Sequence, residues 1–183
     1  MIQSIRANPK EIFYMATVTL KGSAIHTSGE LPKIGSLAPD FVLVDADLND
    51  KSLKDFKAKR KLISIVPSLD TGTCALSAKK FNDAAKANPD IQIIVVSCDL
   101  PFAQKRFCSN EGVQNVTTLS MMRSKDFATK YGVLITDGPL SGIAARAVVV
   151  LDENNKVLYT ELVPEITQEP SYQKALDMMV AAI

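Results

Sequence analysis

Between residues 61 and 132 the chain alternates short apolar runs with amphipathic stretches. "KLISIVPS" and "IQIIVVSCD" are continuous apolar runs of strand length, the pattern of central strands covered on both faces. "CALSAKKFNDAAKAN" carries Ala75, Ala78, Phe81 and Ala85 at helical spacing, with Lys79 and Lys80 off that stripe. "LPFAQKRFCSNEG" predicts a second helix, with Asp99 as its cap, a proline in its first turn and Gly112 near its end. A short strand ("VTTLSM") and a helix ("SKDFATKYG") come next.

The ends of the chain read differently. "ATVTLKGSAIHTSGEL" is rich in β-branched residues and broken by glycines, which predicts an N-terminal hairpin. "FVLVDADL" predicts a short strand and "SLKDFKAK" a helical turn. "AARAVVVLDENNKVLYTEL" predicts a hairpin turning at Asp152-Glu153-Asn154-Asn155, and "EPSYQKALDMMVAAI" a closing amphipathic helix with Met178 and Met179 as core filler. Alternating β and α in the middle implies parallel strands, and the terminal hairpin adds antiparallel ones. The expected class is therefore α/β, a mixed central sheet flanked by helices.

Length and composition narrow the function. The chain has 183 residues, 46% of them hydrophobic, enough for one domain with a proper core. We expect that domain over residues 16–183, with residues 1–15 a flexible N-terminal extension. Basic and acidic residues nearly balance, at 21 and 20, which argues against nucleic acid as the main partner. The densest basic run, residues 57–61, reads as a solvated loop before a strand. No apolar run approaches the roughly 18 residues that span a bilayer, and the charged N-terminus is a poor secretory signal. An odd count of three cysteines does not fit a disulfide scaffold, so a reducing cytoplasm is the default compartment. Cys74, Cys98, Cys108 and His26 lack the paired spacing of zinc ligands; neither metal nor cofactor is expected.

That directs attention to cysteine reactivity. A thiol attacks as thiolate, and a free cysteine, with a pKa of about 8.5, is mostly protonated at neutral pH. Cys74 lies in the first turn of its helix, where unpaired N–H groups and the helix dipole favour an anion. Thr71 offers a hydroxyl three residues earlier. A cation must come from elsewhere, and Arg146, alone in an apolar strand, fits either an edge position facing solvent or a guanidinium held beside an anion. A site in need of a cation favours the second. Cys98 reads as a small apolar residue near the end of a buried strand. Cys108, late in a helix after Lys105-Arg106-Phe107, fits either an idle half-buried thiol or a second redox thiol. His26 reads as a loop or strand polar residue with no partner placed beside it. Thr71-Gly72-Thr73-Cys74 and Cys74-Ala75-Leu76-Ser77 both lack the second cysteine of a C-x-x-C exchange site.

Pro67, Thr71 and Cys74 reproduce the P-x-x-x-T-x-x-C pattern, and with "DLPFAQKRFC" and "DGPLSGIAARAVVVLDE" the chain from Ala16 onward resembles the thiol peroxidases, atypical two-cysteine peroxiredoxins. The resemblance implies a thioredoxin-like fold with an N-terminal β-hairpin extension, usually a homodimer. It implies an antioxidant peroxidase acting on hydrogen peroxide and organic hydroperoxides, with thioredoxin as reductant. By motif position it implies Cys74 as peroxidatic and Cys108 as resolving cysteine, joined in turn as a disulfide. Thr71 and Arg146 would complete the peroxide pocket and Pro67 would shield it.

Overall fold

The computed structural model describes residues 15–57 and 60–180. The extension expected over residues 1–15 lies, apart from Met15, outside them. The N-terminal hairpin forms as expected from β1 (Thr17–Leu20) and β2 (Ser23–His26), which pair antiparallel. Lys21 and Gly22 turn the chain with φ of 51° and 81°, the paired left-handed geometry of a two-residue hairpin loop.

Among the described residues the main sheet has seven strands: β3 (Leu43–Val44), β4 (Asp50–Lys51), β5 (Arg60–Ile65), β6 (Ile91–Ser97), β7 (Thr117–Ser120), β8 (Ala147–Leu151) and β9 (Val157–Leu162). Their order is β4-β3-β7-β6-β5-β8-β9. β5, β6 and β7 run parallel; β3 and the β8–β9 hairpin add antiparallel pairs. The helices are α1 (Gly72–Ala87), α2 (Pro101–Glu111), α3 (Asp126–Lys130) and α4 (Tyr172–Val180).

The continuous apolar runs follow from this layering. Ile63 and Ile65 of β5 point into a cluster with Phe127 of α3, while Leu62 points into another with Phe81 of α1 and Met179 of α4. A strand covered on both faces has no polar side to alternate. Phe81 is wholly enclosed and meets Tyr172 edge-to-face at 5.2 Å, clamping α4 onto α1. Burying one such ring contributes about 1.5–3 kcal/mol. Met179 is buried and Met178 partly so, as core filler requires.

Two expectations fail locally. Part of the basic run at 57–61 is not a solvated loop: Arg60 and Lys61 belong to β5, and Lys61 is 1% exposed. Its Nζ donates to the Asp152 and Glu153 carbonyls across the sheet edge, so the flexible stem packs inside while the ammonium finds oxygens. Burial pushes the Lys61 pKa down, partly offset by the charges of Asp152 and Glu153. Asp99 is not the cap of α2: Leu100 holds that position with no side-chain cap bond, and Asp99 points the other way. Its carboxylate accepts bonds from Ser68 Oγ, Leu69 N–H and Ser97 Oγ, each 2.7 Å. Those bonds staple the β5–α1 turn to the end of β6.

Candidate active site

The stapled turn delivers Cys74. Thr71 is the N-cap of α1 with extended backbone (φ −106°, ψ 144°), so Cys74 falls in the first turn, where N–H groups have no partner inside the helix. Thr71 Oγ1 makes no cap bond. It lies 3.1 Å from the Ser68 carbonyl and 2.8 Å from Cys74 Sγ, and its one proton can serve either.

Arg146 arrives from the neighbouring strand, immediately before β8 rather than within it, where Ala147 pairs with Ile65 at the end of β5. Its side chain is 2% exposed, which overturns the solvent-facing alternative. Nε donates to the Ile166 carbonyl at 3.0 Å, fixing the fork, and Nη2 donates to Cys74 Sγ at 3.3 Å. Nη1 is buried and has no hydrogen-bond partner among the described residues. A guanidinium keeps its charge at any ordinary pH, and a buried charge needs compensation nearby. Here it touches the Ile166 carbonyl and the Cys74 sulfur, and the Glu169 carboxylate lies close enough for the two charges to interact.

A cavity of ≈ 340 Å³ lies beside this group, lined by Pro67 and, on its polar side, by Ser68, Thr71, Thr73 and Arg146. Leu20 of the hairpin, Leu140, Ile143 and Ile166 form apolar walls. The sulfur itself is fully buried. Two donors on a sulfur beneath an apolar-walled cavity can hold an anionic nucleophile and orient a small molecule with one polar and one apolar end.

Cys108 stands apart. It is half-buried near the end of α2 and lines a different cavity, of ≈ 300 Å³, with Asp47, Lys105 and Thr118. Burial pushes its thiol pKa up; a hydrogen bond with Thr118 works weakly against that. Cys74 and Cys108 do touch one apolar cluster, with Val95, Phe107 and Val113. All three cysteines are free.

A model of the redoxin family matches residues 33–176. The chain belongs to the redoxin family. Within this family it is 47% identical over 171 residues to the thiol peroxidase of Leptospira interrogans, a match covering 92% of this chain and 100% of that one. It superimposes on a peroxiredoxin-like protein from Aquifex aeolicus with TM-score 0.83 at 47% identity, covering 89% of this chain and 95% of that one. A thiol peroxidase from Chromobacterium violaceum matches with TM-score 0.82 at 28% identity over the same shares. This redoxin is thus a thiol peroxidase-type peroxiredoxin, an oxidoreductase with the thioredoxin-like fold.

Two sequence expectations change around the site. Cys98 follows β6 and is partly exposed rather than buried, with Lys125 Nζ 3.0 Å from its sulfur. His26 has a partner after all: Asp137, 111 residues away, lies 2.6 Å from its Nδ1 and also accepts its backbone N–H. That pair is exposed, and neither residue lines the cavity beside Cys74. The sequence reading missed the parts that Asp99 and Ile166 play in holding the turn and the guanidinium. Asp99 carried a readable signal, as a carboxylate at the end of a central parallel strand; a backbone acceptor such as Ile166 carries none. Among the described residues no three His, Cys, Asp or Glu side chains are grouped to hold a metal. No described helix is long and apolar enough to cross a membrane.

Proposed function

We propose that this redoxin reduces hydrogen peroxide and organic hydroperoxides through Cys74, using Cys108 as resolving thiol. The observation that carries the reading is the buried Cys74 sulfur, touched by Arg146 and Thr71 beneath an apolar-walled cavity. The Cys74 thiolate attacks the terminal peroxide oxygen; the O–O bond breaks, and the departing alkoxide or hydroxide leaves with a proton as alcohol or water. Arg146 and Thr71 hold the oxygens in line and stabilise charge as it moves onto the leaving oxygen, while Pro67 shields the sulfur. The apolar walls favour hydroperoxides with a hydrocarbon group.

Cys74 is left as sulfenic acid. The Cys108 sulfur then attacks it, an S–S bond forms, and the hydroxyl leaves as water. A disulfide needs Cα atoms about 4.4–6.8 Å apart. We expect the start of α1 and the end of α2 to loosen locally as the two sulfurs come together, since Cys108 lines a different cavity from the one beside Cys74. A dithiol of the thioredoxin type resets the pair by exchange. Working as a homodimer in a reducing cytoplasm, such an enzyme would serve antioxidant defence.

The test is stopped-flow oxidation by cumene hydroperoxide of the wild type, Cys74→Ser, Cys108→Ser and Cys98→Ser. The first variant should be inert, the second should oxidise once without turning over, and the third should turn over normally. Loss of turnover in Cys98→Ser with Cys108→Ser unaffected would reassign the resolving thiol.

A further inference from the structure

The helix that carries Cys108 is lightly held. The buried residues of α2 are Pro101, Gln104 and Phe107. Gln104 is fully enclosed yet polar: its Nε2 donates to Ser97 Oγ and the Leu119 carbonyl, each at 3.0 Å, while its Oε1 has no partner among the described residues. These bonds pin the first half of α2 to the sheet. Past Cys108 the helix ends at Gly112, in left-handed conformation with φ 67°.

The segment beyond Gly112 is gripped from the other helix. Asn82 of α1, 7% exposed, uses its single Oδ1 to accept the N–H of Gln114 (2.9 Å), the N–H of Asn115 (2.8 Å) and Asn115 Nδ2 (3.3 Å). Nearby, Lys79 of α1 is paired with Glu111 in the last turn of α2. So α1, which carries Cys74 in its first turn, also clasps the chain just behind Cys108. A clasp made through one oxygen opens in one event, because losing the grip frees three donors to water together.

We propose that Asn82 is a positioning residue for the resolving step: its side-chain oxygen keeps the end of α2 closed and so sets how fast Cys108 reaches the oxidised Cys74. This rests on the two-cysteine disulfide reading of the function. While the clasp holds, Cys74 sulfenic acid persists. A second hydroperoxide can then oxidise it to sulfinic acid, transferring one oxygen and leaving as alcohol or water. When the clasp opens, the Cys108 sulfur displaces the hydroxyl as water and the disulfide forms. Asn82 therefore governs the partition between two fates of one intermediate, without touching the peroxide.

The experiment is rapid-mix oxidation of the reduced protein, quenched with an alkylating reagent and read by mass spectrometry. It separately times loss of the Cys74 thiol, formation of the Cys74–Cys108 disulfide, and sulfinic acid at high cumene hydroperoxide. Losing three hydrogen bonds to one acceptor, Asn82→Ala should speed disulfide formation about tenfold and lower the sulfinic yield in proportion. The first oxidation should stay within about twofold of wild type, including in a Cys108→Ser background. Asn82→Asp keeps acceptor oxygens and should restore the disulfide rate to within about threefold of wild type. Amides between residues 108 and 115 should exchange faster in Asn82→Ala and not in Asn82→Asp.

Should Asn82→Ala fail to fold, Glu111→Gln decides. That exposed change loosens the same end and should speed disulfide formation about twofold with the first step unchanged. An unchanged or slower disulfide step in whichever variant folds overturns the inference while leaving the two-cysteine reading intact. Absence of any Cys74–Cys108 disulfide in the wild type would overturn both.

Discussion

Arg146 Nη2 stands 3.3 Å from Cys74 Sγ, though 72 residues separate them in the chain and both side chains are buried. Two pieces of backbone hold this contact: the first turn of α1 presents the sulfur, and the Ile166 carbonyl fixes the guanidinium through Nε. The fork is thus used at both ends. A lysine could place one charge near the sulfur, but it could not hold the Ile166 carbonyl and the sulfur together in a rigid plane.

Arg146→Lys should therefore lower the rate of Cys74 oxidation by hydroperoxide by about 10²–10³-fold, the scale for removing a preorganised donor from a transition state. Stopped-flow loss of the thiol is the measurement. Retention of more than a third of wild-type rate would show that charge alone, without the fork, is sufficient.

Thr71 contributes a hydroxyl 2.8 Å from the sulfur. Thr71→Val keeps the shape and removes the donor; Thr71→Ser keeps the donor and removes a methyl group. The first should cost about 10²-fold in peroxide reduction and the second less than about fivefold, because one hydrogen bond at a reacting centre outweighs one methyl contact at its rim. Equal losses in the two variants would make Thr71 a packing residue.

The pocket wall has a support of its own. Glu165 accepts bonds from Thr19 Oγ1 (2.8 Å), the N–H groups of Lys21 and Gly22 (3.1 Å each), and the N–H and Oγ1 of Thr167 (3.1 and 2.7 Å). It ties the hairpin that supplies Leu20 to the segment that supplies Ile166. The Thr167 hydroxyl above all, with the Thr167, Gly22 and Thr19 donors behind it, holds the Glu165 carboxyl well below the usual carboxylate range. Glu165→Gln should slow cumene hydroperoxide reduction by about tenfold and hydrogen peroxide reduction by less than about twofold, since only the larger substrate leans on that wall. The stability gap between wild type and variant should be fully present above the ordinary glutamate value of about 4.3 and shrink as pH falls through the lowered native value. A gap that grows in acid would contradict the assignment.

The alternation of apolar runs made the sheet legible because β5 and β6 are covered on both faces, and no polar side chain had to interrupt them. Cys74 and Thr71 were equally legible, since their contact is local to one helix start. Arg146 could be suspected, as a lone cation in an apolar stretch, but its burial depended on the Ile166 carbonyl, which no side chain announces. The missed features share that origin. Asp99 looked like a helix cap because caps are defined by neighbours in sequence, yet its partners Ser68 and Leu69 come from the preceding crossover. The His26 partner sits in the loop before β8, and the Lys61 acceptors lie on the turn between β8 and β9. Each is a long-range pairing of a polar group, and such pairings leave no periodic trace.

With Cys108 as the proposed resolving thiol, the resolving step should have its own pH dependence. Burial raises its pKa above the ordinary thiol value, so the folded protein keeps it protonated where a free thiol would begin to ionise. For an acid raised in the native state, the native packing binds the proton more tightly than the open chain does. The stability of the closed α2 end is then whole below the ordinary value of about 8.5 and declines as pH rises through the raised native value. Alkaline solution should thus favour the open form and at the same time supply the attacking thiolate. Disulfide formation should accelerate steadily from pH 7 to beyond pH 9, on the order of tenfold per unit where protonated Cys108 dominates. Oxidation of Cys74 does not use the Cys108 proton, so its pH profile, followed in the same mixing experiment, should be the same in Cys108→Ser as in wild type. If disulfide formation merely tracks the first step at every pH, its slope does not belong to Cys108.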